Sequence, residues 1–290
     1  MSRAGADAST TLPDPLERPP AQAHAPDSSA AARTGWRVPA WLRGWVLPVL
    51  ILACLEALVR SGTMPDYLMP APSQVFDTIV DLADGPLWQH IGISSFRVFS
   101  GFAIGAALAL LIGTWVGLSR RAEAYLEPSF QALRAVPGLA WVPLLLIWLG
   151  IDEASKITLI AIGAFFPVYL NLVAGIRNVD RKLVEVGALY GFSSLRLVRY
   201  IFVPAALPNL FTGLRQALSM AWLCVVAAEL LAATKGIGYL LTDGRETSRP
   251  DLVLVAIILL AVMGKLTDSV LRFFEVKSLG WRDAYAGRAG

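Results

Sequence analysis

The sequence predicts an all-α polytopic membrane protein with about six transmembrane helices. Of its 290 residues, 56% are hydrophobic and only 16% are charged, and its mean hydropathy of +0.57 lies above the range of ordinary soluble domains. Apolar runs near the ~20 residues that cross a bilayer recur along the chain, and no soluble domain of comparable length separates them. Cys54 and Cys224 both lie inside apolar runs, so we interpret them as packing residues.

The N-terminal residues 1–35 predict a disordered cytoplasmic tail, because they are rich in Pro, Ala and Ser and poor in large apolar side chains. Residues 36–290 then form the transmembrane domain. Trp36, Trp41 and Trp45 flank the first apolar stretch, as is typical of a membrane interface. No small-residue cleavage site accompanies that stretch, so we expect it to remain as an anchor rather than to be removed as a signal peptide.

The apolar runs predict six spans, and the first and third are short. A short amphipathic surface helix, capped by Ser73, is predicted between the first two. The six spans are residues 45–59, 98–118, 136–151, 157–176, 211–233 and 252–271.

The distribution of Lys and Arg predicts the orientation, because basic residues are retained on the cytoplasmic side. With the N-terminus inside, 17 basic residues are cytoplasmic and six are external. Both termini and the loop between the fourth and fifth spans, at about 177–210, are therefore predicted to be cytoplasmic.

Small residues at four-residue spacing line one face of the second span, which predicts a close helix crossing. Packing within one helical bundle is the favoured interpretation, and a dimer seam or a moving gate stays open. These residues are Gly101, Gly105, Ala109, Gly113 and Gly117.

Four ionisable residues, Glu56, Arg215, Glu229 and Lys265, lie within or at the ends of predicted spans. Such groups are costly in lipid unless they face a partner, water or the interface. Glu56, Arg215 and Lys265 are close enough to span ends to reach the interface. Glu229 either pairs with a neighbouring helix or lines an aqueous pathway.

The sequence predicts no catalytic, metal or cofactor site in this chain. His24 and His90 have no companions at ligand or acid–base spacing, and no HExxH, GxSxG, CxxC or Walker A motif occurs. The run Gly236-Ile237-Gly238 lacks a third glycine and a preceding strand, so a phosphate loop is not predicted. We expect residues 234–250 to form an external loop that contacts a partner.

The segment EVGALYGFSSLRLVRYIFVP, residues 185–204, predicts a helical elbow. Asp180 is placed to cap a first helix, and Gly191 ends it through a left-handed conformation. Ser193 or Ser194 begins a second helix, which Pro204 and Pro208 are expected to end. The first helix exposes more apolar surface than an isolated cytoplasmic helix should, although an amphipathic connector lying at the membrane surface would explain it too.

This segment resembles the EAA loop of ABC-importer permeases, whose pattern is E-A-A, three residues, G, nine residues and I-x-L-P. Glu185, Gly191, Ile201 and Pro204 fit both spacings. The departures are Val186 and Gly187 in place of two alanines, and Val203 in place of leucine. Gly187 should weaken the first helix by ~1 kcal/mol relative to alanine.

The resemblance extends over roughly residues 70–285. This part of the chain is similar to permeases of the aliphatic sulfonate, taurine and nitrate importer group. The matching runs are SRRAEAYLEPSFQALRAVPGLAWVPLLLIWLGI, GAFFPVYLNLVAGIRNVD, PAALPNLFTGLRQALSMAWLCVVAAELLAA and KGIGYL.

The resemblance implies a type I ABC importer permease in the bacterial inner membrane that passes a small anionic solute, an aliphatic sulfonate, taurine or nitrate. The implied partners are cytoplasmic ATPases that carry ATP and Mg²⁺, an extracytoplasmic solute-binding protein, a second permease copy and the lipid bilayer; no nucleic acid is expected. The coupling loop that docks on the ATPase would comprise Asp180, Leu183, Glu185, Val186, Gly187, Ala188, Leu189, Tyr190, Gly191, Ile201 and Pro204.

Two other classes remain alternatives from the residues alone. An ion-coupled secondary transporter should show an internal repeat and acidic residues near the midplane, and neither is evident. A membrane enzyme should show a catalytic cluster, which the sequence does not contain.

Overall fold

The structure, a computed structural model, describes residues 40–65 and 67–280, and every regular element in those ranges is helical. The predicted disordered tail, 1–35, lies outside the described residues. The α-helices are α1 (Ala40–Arg60), α2 (Pro72–Ala83), α3 (Leu87–Leu118), α4 (Arg120–Ala135), α5 (Val142–Leu149), α6 (Glu153–Arg177), α7 (Arg181–Leu189), α8 (Ser194–Leu197), α9 (Val203–Ala232), α10 (Ile237–Glu246) and α11 (Pro250–Ser278).

Four described helices are long and apolar enough to cross a bilayer, or five if a bent pair counts as one span. The four are α3, α6, the continuous α8–α9 helix and α11. The bent pair replaces the predicted third span, because α4 and residues Gly138–Leu149 meet at an angle of 89°. The predicted first span corresponds to α1, which does not pass the same test. The all-α polytopic fold class is confirmed, with four or five spans among the described residues against the six predicted.

The glycine face of α3 packs directly against α6. A Cβ added at Gly101 would lie 2.6 Å from the Ile160 side chain, and one added at Gly105 would overlap the Ala161 carbonyl group. Gly113 and Gly117 likewise approach the side chains of Leu172 and Ile176. The four glycines therefore serve a crossing within one chain, which is the favoured interpretation of the sequence pattern.

A second close crossing joins α6 to α9, and no sequence pattern pointed to it. A Cβ added at Gly213 would lie 2.9 Å from the Pro167 carbonyl oxygen, and one added at Gly163 would lie 2.6 Å from the Cys224 sulfur. Helix α6 therefore occupies the centre of the bundle, with α3 on one side and α9 on the other.

Replacing Gly105 with valine is expected to destabilise the bundle by about 1–3 kcal/mol, because the new side chain must push α3 away from the α6 backbone. Thermal unfolding in mild detergent measures the effect. Gly264→Val in α11 is the matched control, because a Cβ at Gly264 meets no atom within 4 Å. Equal melting temperatures for the two variants would contradict the crossing.

Helix α2 begins differently from the prediction. Ala71 occupies the N-cap position, and its N–H donates to Gln74 Oε1 at 3.0 Å. Ser73 lies inside the helix and donates its hydroxyl to Glu56 Oε1 at 2.8 Å. Glu56 therefore binds the first turn of α2, which the interpretation of an interface-seeking side chain did not include.

Candidate functional site

The segment 180–204, called the elbow below, begins with a capped helix. The Asp180 side chain accepts a hydrogen bond from the Lys182 N–H at 2.9 Å, and its backbone is extended at the start of α7. This geometry confirms that Asp180 caps α7, which is the first arm of the elbow. The carboxylate also lies at the positive end of the helix dipole.

Gly191 ends the first arm as predicted. Its φ of +70° is a left-handed conformation that glycine adopts without steric cost. The Gly191 N–H donates to the Ala188 carbonyl and the Phe192 N–H to the Gly187 carbonyl, both at 3.0 Å. These two bonds satisfy carbonyl groups that the helix end would otherwise leave free.

The second arm of the elbow, α8 with the π-helical turn after it, continues into α9. The prediction that Pro204 and Pro208 end this helix is therefore wrong. Helix α8 passes through a π-helical turn, Val198–Phe202, and then into α9. In this wider turn the Val203 N–H donates to the Val198 carbonyl. Pro204 then falls in the first turn of α9, where the N–H group that proline lacks costs little. The elbow is therefore rigidly continuous with a membrane-spanning helix.

Gly187 is buried where the two arms of the elbow meet. A Cβ there would lie 2.7 Å from both the Leu197 and Ile201 side chains. Glycine in place of alanine at position 187, which by itself weakens α7, thus permits the two arms to approach closely. Ile201 contributes to this contact.

The outward face of α7 is apolar and open. Leu189 is 86% exposed and Tyr190 is 79% exposed, and Leu183 and Val186 are also exposed. Glu185 and Ala188 share this exposure. An isolated helix in water gains nothing from such a surface, so it is suited to a partner protein or to lipid.

A groove of about 550 Å³ adjoins the elbow. Its lining residues come from α3, α4, α6, α7, the turn between α6 and α7, and Phe202. The base is held by Arg177, which forms an ion pair with Glu123 and donates to the Val116 carbonyl at 3.2 Å. The lining residues are Gly117, Leu118, Arg120, Glu123, Ile176, Arg177, Val179, Arg181, Val184, Glu185 and Phe202.

At the opposite end of α6 and α9 lies a cluster of charged and polar side chains, which we define as His90, Ser94, Arg97, Glu153 and Glu229 and call the buried charge cluster; all of its residues except Glu153 are buried. The Glu229 residue is 1% exposed. Its carboxylate accepts from Arg97 Nη1 at 2.7 Å, from Ser94 Oγ at 2.7 Å and from the Gly238 N–H at 2.8 Å. Glu229 thus joins α3, α9 and α10.

Arg97 is the centre of the buried charge cluster, and its guanidinium donates four hydrogen bonds from its five N–H groups. Besides Glu229 it donates to both oxygens of Glu153 at 2.6 Å and to the Lys235 carbonyl at 2.8 Å. A buried guanidinium is tolerated only when it is paired with countercharges and hydrogen-bond acceptors in this way. Arg97 therefore fixes the start of α6 and the segment before α10 to α3.

The run Gly236-Ile237-Gly238 closes over Glu229, which explains its glycines. A Cβ at Gly236 would overlap the Glu229 carboxylate, and one at Gly238 would lie 2.7 Å from the Glu229 Cβ. The Gly236 N–H donates to His90 Nδ1 at 2.9 Å, and the Ile237 N–H donates to Ser94 Oγ at 2.8 Å.

From the sequence, Arg97 is predicted to lie in a loop and His90 to have no companions. The spacing of His90, Ser94 and Arg97, at four and three residues, places them on one helix face and is the signal by which the cluster could have been found. Arg215 is also paired rather than free at the interface, since its Nε donates to Asp268 at 2.8 Å. Lys265 is exposed.

A bundle of membrane-spanning helices with a capped apolar elbow at one end defines an all-α polytopic membrane protein. Residues 94–278 match the family model described as "Binding-protein-dependent transport system inner membrane component". The chain belongs to this family and is the permease subunit of a binding-protein-dependent ABC importer. Membership excludes the ion-coupled secondary transporter that the residues alone had left open.

The relatives carry transport names. The chain is 45% identical over 85% of its length to a Bacillus subtilis protein named as an aliphatic sulfonates transport permease, SsuC, and spans 90% of it. It is 45% identical over 83% of its length to the Escherichia coli protein of the same name, spanning 92% of that protein. The E. coli taurine transport system permease TauC is 33% identical over 73% of this chain and 80% of its own length.

Proposed function

We propose that this permease couples to a separate ATPase through α7 and the exposed face of the elbow. The observation that carries the proposal is a capped helix whose apolar residues, Leu189 and Tyr190 above all, have no cover within the described residues. A groove on a partner protein would cover them, as amphipathic helices are covered in other complexes. The residues involved are Asp180, Leu183, Glu185, Val186, Gly187, Ala188, Leu189, Tyr190, Gly191, Ile201 and Pro204.

The ATP and Mg²⁺ are carried by the partner in this proposal, and the permease binds no cofactor. The continuity of α8, the π-helical turn and α9 supports transmission, because a movement imposed on α7 reaches a membrane-spanning helix without a flexible joint. The close packing of Leu197 and Ile201 against Gly187 also supports transmission, because it holds the two arms in contact.

The orientation follows the basic residues, with both termini and the elbow in the cytoplasm of a bacterial cell. The end of the bundle that holds Lys156 and residues 234–250 then faces the extracytoplasmic solute-binding protein. A second copy of the chain completes the translocation pathway. We assign Glu229 to structural pairing rather than to pathway lining, since 1% exposure leaves it no contact with solute.

We propose an aliphatic sulfonate as the solute. The two relatives named for sulfonates are each 45% identical, against 33% for the taurine permease and for a bicarbonate permease. Thermal-shift measurements on the cognate binding protein with alkanesulfonates, taurine, nitrate and bicarbonate test this choice. If only taurine, nitrate or bicarbonate stabilises the binding protein, that compound and not an aliphatic sulfonate is the solute.

Leu189→Glu tests the coupling. A charge placed at the centre of the docking face should weaken ATPase binding by about 30-fold, as loss of an interface hot spot does, and should abolish solute-stimulated ATP hydrolysis in proteoliposomes. Because Leu189 is exposed, the permease itself should keep its melting temperature.

Val276→Glu is the matched control, since Val276 is an exposed apolar residue in the last turns of α11. It should retain full ATPase association. Normal coupling in Leu189→Glu, or equal loss in both variants, would contradict docking through α7.

A further inference from the structure

The break between α4 and α5 lies at the middle depth of the bundle. A cavity of about 360 Å³ beside the break is lined mainly by apolar side chains, Trp141, Phe166 and Met220 among them, and also by Arg134, Asn171 and Gln216. Phe166 is near the midpoint of α6 (Glu153–Arg177), and Gln216 is near the midpoint of α9 (Val203–Ala232). The 89° bend therefore lies beside the middle of two membrane-spanning helices, α6 and α9.

The residues around this break are exposed in the single chain. All residues from 131 to 140 are exposed, and the regular helical bonds are interrupted between Ala135 and Gly138. Irregular backbone is tolerated at membrane depth only where it lines a water-filled cavity or is covered by protein. Lipid is thus a poor neighbour for this face.

A polar stripe on α9 includes Gln216, which lines the same cavity. Thr212, Gln216 and Ser219 are exposed and follow one another at four and three residues. The Asn171 amide donates to Gln216 Oε1 at 3.0 Å and to the Pro167 carbonyl at 2.8 Å. This arrangement leaves the Gln216 NH₂ group without a protein acceptor among the described hydrogen bonds.

Arg134, which the predicted span boundaries place in a cytoplasmic loop, instead lies at the edge of this cavity and supplies a positive charge there. Arg97, Arg177 and Arg215 each pair with a carboxylate, whereas Arg134 forms no ion pair within the part of the chain that the structure describes. An ionisable group at membrane depth is expensive unless it serves a solute or a partner.

We infer that the break, with Arg134, Asn171 and Gln216, is the anion-contacting site of the translocation path. Arg134 attracts a small oxyanion of the sulfonate type, and the Gln216 amide donates a hydrogen bond to one of its oxygens while water occupies the rest of the cavity. This inference rests on the proposed function, since it assigns a site to the anion that the importer carries. The bent α4–α5 pair is what opens the bundle to that site.

Cysteine accessibility tests the water-filled face without reference to the solute. Gln216→Cys and Ser219→Cys are made in a background of Cys54→Ser and Cys224→Ala, then treated with a charged methanethiosulfonate reagent in proteoliposomes. The controls are Leu266→Cys and Val270→Cys, which lie on the exposed apolar face of α11. Labelling at the α9 positions should be about tenfold faster or more, because only a hydrated thiol ionises readily; equal rates would overturn the inference.

Uptake measurements test the anion contact. Arg134→Gln in the complete transporter should lower methanesulfonate uptake about tenfold, the effect of losing a hydrogen-bonded charge, whereas Arg134→Lys should retain most of it. Arg121→Gln, another exposed arginine of α4, is the control and should transport normally.

The outcomes separate the site from the proposed function. A wild-type transporter that takes up no sulfonate refutes the proposed solute. A wild type that transports sulfonate, together with an Arg134→Gln variant as active as Arg121→Gln, overturns only the site at the break.

Discussion

Replacing Glu229 with alanine is expected to lower the free energy of unfolding by about 3–5 kcal/mol, because it leaves Arg97 buried with half of its countercharge removed. Ser94 Oγ and the Gly238 N–H lose their acceptor in the same change. The apparent melting temperature in mild detergent should fall by at least about 6 °C, given the usual relation for chains of this size.

The double replacement Arg97→Met with Glu229→Leu is the matched control. Removing both charges relieves the penalty of an unpaired buried ion, so this variant should be more stable than Glu229→Ala alone. A Glu229→Ala variant that melts with the wild type would show that water reaches the buried charge cluster and would contradict its closed geometry.

Replacing Gly191 with valine is expected to uncouple transport from ATP hydrolysis. A β-branched residue at a φ of +70° costs on the order of 1–3 kcal/mol of backbone strain, so the end of α7 must rearrange. Solute uptake and solute-stimulated ATP hydrolysis, measured in proteoliposomes with the partner ATPase, should both fall sharply while the amount of folded permease is unchanged.

Gly191→Asn provides the comparison, because asparagine adopts the left-handed conformation more readily than other non-glycine residues. It should keep most of the coupled activity. If valine and asparagine behave alike, the left-handed bend at Gly191 has no part in coupling.

The elbow was predictable because its determinants are local. Asp180 and Gly191 cap and end α7 through bonds to residues only two to five positions away, and such contacts are encoded in short sequence patterns. The glycine face of α3 was predictable for the same reason, since helical periodicity alone aligns its residues. The partner helix, α6, was not.

Pro204 shows where local rules failed. Proline in isolation predicts a helix end, yet a π-helical turn immediately before it accommodates the ring and lets the helix continue. The turn is packed against the first arm of the elbow, since Ile201 and Leu197 lie against Gly187. A rule based on one residue type has no access to that packing.

The sequence by itself determined the membrane setting, the helical class, the capped elbow and the presence of an expensive charge at Glu229, because composition, periodicity and caps depend on near neighbours. Only the tertiary structure decided that Glu229 pairs with Arg97, 132 residues away, that Gly236 and Gly238 close over this pair, and that the third span is broken beside Asn171 and Gln216. The physical reason is that burial and charge pairing depend on which helices meet in space. Those meetings are set by the close packing of side chains across the whole bundle.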